Sequence, residues 1–185
     1  IDNCVLWCDW GKCCEVGVET TCREYENISF KNCDLLRCGH AALDINNGEC
    51  AEIHNVTFEN INAEYNSFDT KEVYQASDED AYNAQNTIAV PTLILIRNAP
   101  FRTPECCEAW GLPPLTDKID LTGIKHRSVH DITVNNINIY YDEAMPLNGS
   151  GPDIKCIISS EEDTDDFYNI NISNITVNGK KINII

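Results

Sequence analysis

One phrase occurs twice in the chain, and it limits the possible folds more than any other feature. Asn27-Ile-Ser-Phe-Lys-Asn-Cys recurs 28 residues later as Asn55-Val-Thr-Phe-Glu-Asn-Ile. The asparagine that closes the phrase falls at Asn3, Asn32, Asn60, Asn136 and Asn174, at intervals of 29, 28, 76 and 38 residues. A recurring interval in the twenties, built from short β-branched runs and Asn/Gly turns, is the signature of a solenoid. Within the phrases the apolar residues alternate: Ile28 and Phe30, Val56 and Phe58, Ile132 and Val134, Ile170 and Ile172. That period of two is a strand pattern. Each repeat holds two or three such runs, for example Ile28–Phe30, Leu35–Leu36 and Ala42–Ile45. The expected fold is therefore all-β: a right-handed parallel β-helix with three sheets per turn, one domain over residues 1–185. The LxxLxL frame of a leucine-rich solenoid is missing.

The closing asparagines have a structural explanation. In stacked turns an Asn tolerates the left-handed backbone region and bonds to its counterparts above and below. The repeat also generates the sequons at Asn27, Asn55, Asn171 and Asn174, so these do not imply glycosylation. The 76-residue interval holds the irregular part. Residues 66–86 are acidic and polar and read as a loop, Ile88–Arg97 as a buried strand, and 100–121, with four of the seven prolines, as a second loop. Further strands are expected at Ile132–Tyr140, Ile154–Ile158 and Ile170–Val177, then a turn at Asn178-Gly-Lys-Lys and a last short strand. A start at Ile1, inside a repeat, suggests a piece of a longer helix.

The formal charge of −17 opposes nucleic-acid binding, which needs clustered cations to neutralise phosphates. No run of about 18 apolar residues is present to span a membrane. Eleven cysteines leave at least one unpaired in any disulfide scaffold. No Cys/His spacing suits structural zinc. Cys4 with Cys33, and Cys22 with Cys50, occupy equivalent repeat positions and read as buried thiols on successive turns. This leans towards a reducing, cytoplasmic setting, with secretion the alternative.

Several residues carry candidate chemistry. Asp9 and Trp10, beside Trp7, combine carboxylate and aromatic faces, which is how proteins hold neutral sugars. Glu15 and Glu19, four apart in a strand-like run, are expected on one face as sugar contacts, an acid/base pair or oxygen ligands. Asp44, one turn later, is expected about 5 Å from Glu15 if the two share a sheet. At that distance two carboxyls perturb each other and one pKa rises. His40 joins this set. His54, Asn47 and Glu49 read as structural, and His126 with His130 lack a third ligand. No cofactor and no metal are expected.

The stretches DWG (Asp9–Gly11), EVGVET (Glu15–Thr20), NISFKNCD (Asn27–Asp34) and HAALDINNGECAEIHNVTFENINAE (His40–Glu64) resemble the C-terminal half of polygalacturonase-like glycoside hydrolases. These and their bacterial relatives belong to the pectin-lyase-like β-helix superfamily. The likeness is close over residues 3–65 and generic over 129–182. It implies hydrolysis of glycosidic bonds by carboxylates in an inverting mechanism. The family's Asn-Thr-Asp and Asp-Asp motifs do not occur ahead of Asp9, so the resemblance places those acids upstream of Ile1. It also sets Lys12 where the family's Gly-His-Gly coil has His, and Leu43-Asp44-Ile45-Asn46 where the uronate-binding Arg-Ile-Lys stands. With Asp44 and Asn46 replacing two cations, the expected partner is a neutral oligo- or polysaccharide. Within this chain Glu15 and Asp44 are the candidates for chemistry, and Asp9, Trp10, Lys12, Glu19, His40 and Asn46 for substrate binding. The alternative is a non-catalytic carbohydrate-binding or structural module. An open solenoid end makes a homodimer the expected assembly.

Overall fold

The computed structural model describes residues 1–8, 12–20, 22–38, 41–49, 51–65, 71–74, 83–88, 92–98, 128–142, 155–160 and 167–182. The described elements are all strands: β1 (Val5–Trp7), β2 (Cys14–Val18), β3 (Glu24–Leu36), β4 (Ala41–Asn47), β5 (Glu52–Tyr65), β6 (Lys71–Tyr74), β7 (Asn83–Ile88), β8 (Thr92–Asn98), β9 (Val129–Tyr141), β10 (Lys155–Ser160), β11 (Phe167–Val177) and β12 (Lys180–Ile182). Two sheets carry the fold. The first runs β1-β3-β5-β9-β11-β12 and the second β2-β4-β8-β10, read from the same end. All pairs in both are parallel except β11–β12, an antiparallel hairpin. From β1 to β5 the chain alternates between the sheets, adding one strand to each in turn.

The intervals between the closing asparagines are the register offsets of the first sheet. Val5 pairs with Asp34, Ile28 with Val56, Val56 with Ile132, and Ile132 with Ile170. From β3 to β11 like therefore stacks on like. Phe30 lies on Phe58 with ring centroids 5.4 Å apart, and Cys33, Ile61, Ile137 and Ile175 form one buried column. Leu43, Ile45, Ile94 and Ile96 of the second sheet pack into the same apolar core.

The closing asparagines do sit in the left-handed region, with φ of 54–56° at Asn3, Asn32, Asn60, Asn136 and Asn174. Asn60 Nδ2 donates to Asn32 Oδ1 at 3.0 Å, and Asn136 Nδ2 to Asn60 Oδ1 at 2.8 Å. At its ends the ladder shifts to a neighbouring residue: Asn32 donates to Asp2, and Asn174 to Asn135. A second left-handed column, five residues earlier, contains Asn27, Asn55, Asp131 and Asn169. Inward-facing residues are two apart within a straight run but three apart across each left-handed residue: Ile53, Val56, Phe58, Ile61, Ala63. Each such residue is thus a corner that restores the inward orientation, as a bulge does.

The runs Ile28–Phe30 and Leu35–Leu36 are both parts of β3, because pairing to β5 continues through the corner at Asn32. The stretch 66–86, expected as a loop, contains β6 and most of β7, which pair antiparallel. The strand expected at Ile88–Arg97 begins at Thr92, and Ile88 ends β7. The second expected loop, 100–121, lies outside the described residues. Cys4, Cys13, Cys14, Cys33 and Cys38 are free thiols. Of the pair expected to stack, Cys33 is buried and Cys4 half-buried, while Cys50 lies outside the described residues. Burial pushes the Cys14 thiol up to about 12, so it is a packing residue at neutral pH.

Candidate functional site

The site is built on the second sheet. Leu43 and Ile45 of β4 face the core, so alternation turns Asp44 and Asn46 to the opposite face. That face is covered as well, for every residue of β4 is buried. Asp44 pairs directly with Glu15 of β2, as the sequence suggested, and Asn46 with Gly17 and with Arg97 of β8. The approach at Gly17 admits no side chain. Its φ is +115°, and a Cβ there would collide with the Asn46 carbonyl oxygen.

Two cations converge on Asp44. Lys12 Nζ lies 3.7 Å from Asp44 Oδ2 and 3.1 Å from Glu15 Oε1, and Arg97 Nη2 lies 3.6 Å from Asp44 Oδ2. The contacts to Asp44 exceed hydrogen-bond length, and neither of its carboxyl oxygens has a hydrogen-bond partner. Asp44 is fully buried, whereas the side chains of Lys12, Glu15 and Arg97 are 22%, 30% and 31% exposed. Burial pushes the Asp44 carboxyl up to about 6; Arg97 and Lys12 oppose the shift and Glu15 adds to it. A carboxyl tuned to this value holds a proton in mild acid and releases it near neutrality, the property a general acid/base needs.

The other sequence candidates divide. Asn46 lies in the same covered layer, 7% exposed. Glu19 does not join the cluster. β2 ends at Val18, so the four-residue alternation from Glu15 does not reach it. Its carbonyl instead accepts the Tyr25 hydroxyl at 3.1 Å. Asp9, Trp10 and His40 lie outside the described residues, as does His126. Trp7 is 61% exposed on β1 with the Arg37 guanidinium 4.8 Å over its ring. Asn47 is a turn former, as expected: its amide donates to the Ala51 carbonyl at 2.6 Å and accepts from Thr20. Arg97 was not foreseen. It ends an apolar run at an offset of 51 from Asn46, outside the repeat interval, so no periodicity pointed to it.

No protein-family model matches this chain, and neither does any curated protein or solved structure.

Proposed function

We propose that the chain forms turns of a right-handed parallel β-helix and is part of a glycoside hydrolase acting on a neutral oligo- or polysaccharide. Two parallel sheets that add strands in the same order support the helix. The near-universal right hand of parallel crossovers supports its sense. The reading of activity rests on one observation: a buried carboxyl titrating near 6 pairs across one strand with a solvent-facing carboxylate. In this reading Glu15 meets the sugar with the Asp44 carboxyl behind it as the proton carrier, while Lys12 lies against both carboxyls and Arg97 against Asp44.

A neutral sugar is expected from the sequence because Asp44 and Asn46 stand where two cations would. Lys12, just ahead of β2, and Arg97 of β8 bring two cations back to Asp44. The four side chains carry no net charge when Asp44 is ionised, and an uncharged substrate fits that balance.

The test is hydrolysis of a panel of neutral and uronic oligosaccharides by the 185-residue chain and its Glu15→Gln and Asp44→Asn variants. Expected is cleavage of neutral substrates, reduced about 10²–10⁴-fold by Glu15→Gln, the range for loss of an acid/base group. Sugar binding without cleavage would favour a non-catalytic module. Neither binding nor cleavage would remove the carbohydrate reading.

A further inference from the structure

A second cluster lies on the outer face of the first sheet, away from Asp44, and it does not rest on the carbohydrate reading. Tyr25 and Ile53 point into the core, so Glu24 and Glu26 of β3 face outward, as do Glu52 and His54 of β5. Glu24 pairs with Glu52 and Glu26 with His54, and His54 with His130 of β9. The imidazoles of His54 and His130 stack with centroids 5.0 Å apart and planes 3° from parallel, and Tyr168 of β11 stacks on His130 at 4.4 Å.

Neighbouring carboxylates on this face have partners. Glu52 Oε1 lies 2.8 Å from His130 Nε2, Asp131 Oδ2 lies 2.7 Å from His130 Nδ1, and Glu59 pairs with Lys31. Glu24 and Glu26 are different. Among the described residues no Lys or Arg makes an ion pair with either. They stand two apart on one strand face, about 6.6 Å along the backbone. Glu26 receives only the neutral Asn27 amide, at Oε2. One donor atom from each of Glu24, Glu26 and His54 lies within 4.8 Å of the other two.

We propose that Glu24, Glu26 and His54 bind a divalent first-row transition-metal ion. An ion bonded at about 2.2 Å holds neighbouring donors roughly 3–3.6 Å apart, so closing the triad needs side-chain rotations that bring the donors together by up to about 2 Å. The imidazole selects a transition ion over calcium or magnesium, which prefer all-oxygen sites. The left-handed residues that follow Glu26 and His54 orient those two ligands. The Asn27 amide donates to Glu26 Oε2, and the Asn55 amide nitrogen Nδ2 lies 3.0 Å from His54 Nδ1. Turning the Asn55 amide over sets its carbonyl oxygen against Nδ1–H, the usual outer arrangement of a metal-bound histidine, and leaves Nε2 to bond the ion. Three protein donors leave positions for water or a ligand.

Mn²⁺ is the probe, because thiolates of the eleven cysteines would capture softer zinc. Loss of the six-line paramagnetic resonance signal of free Mn²⁺ counts bound ions. Proton relaxation in the unaltered chain locates them. Expected is one ion per chain, with broadening strongest at the His54 ring and next at His130 and Tyr168. His54→Asn should weaken binding by at least about tenfold, whereas Glu59→Gln leaves it within about twofold. Broadening centred elsewhere on the acidic surface, or His54→Asn binding as tightly as the parent, overturns the proposal.

Discussion

Asp44 shows what a single buried carboxyl does to this molecule. Its folded pKa is raised from 3.8 to about 6, so between those values the folded state binds more protons than the unfolded one. Stability therefore falls as pH rises through that window, by about 3 kcal/mol for a shift of this size. Asp44→Asn removes the ionisation. Urea unfolding should show variant and parent alike near pH 4 and the variant gaining through pH 6, levelling off above. Parallel curves for the two proteins would show that Asp44 is not perturbed. The Glu15–Asp44 pairing was legible because both residues keep the 29-residue step of the repeat. Glu19 lies one residue past the end of its strand, so alternation does not carry from Glu15 to it, and Arg97 was invisible because an insertion breaks the period. Asp9, Trp10 and His40 remain expectations from the sequence.

The strands are bent by their asparagines, and this can be measured at Asn60. Its φ is 56°, and its side chain both accepts from Asn136 and donates to Asn32. Asn60→Gly keeps the corner and loses two exposed hydrogen bonds, a cost of about 1–2 kcal/mol. Asn60→Ala loses the same bonds and adds about 1 kcal/mol of left-handed strain. Chemical denaturation should rank parent above Gly above Ala; Ala equal to Gly would mean that the corner relaxes. Gly17→Ala should cost more than either, because the added Cβ meets the backbone of Asn46 rather than a movable side chain. The period-two runs are readable, but strict alternation ends at each asparagine. A step of three across the corner preserves burial, and a search for strict alternation loses the strand there. Pairing through the corner is set by the neighbouring strand, which a single repeat does not reveal.

The whole molecule has unlike ends. The first sheet finishes at β12, an antiparallel strand carrying Lys180 and Lys181, and charged residues of this kind discourage further pairing. At the other end β1 and β2 are the outermost strands of the two sheets. Ile1, Val5 and Trp7 there are 59%, 67% and 61% exposed. In the 185-residue chain taken by itself, an edge bearing these apolar side chains is a template for another strand, and the homodimer expected from the sequence would form there. The charge of −17 opposes the approach of two copies, and salt screens such repulsion over about 8–10 Å at physiological strength. Sedimentation should therefore show a concentration-dependent dimer that strengthens as salt is raised. Val5→Glu, outward-facing and clear of the core, should return it to monomer without changing the circular dichroism of the sheets. A parent that stays monomeric at high salt and high micromolar concentration would show that the open edge is protected without a partner.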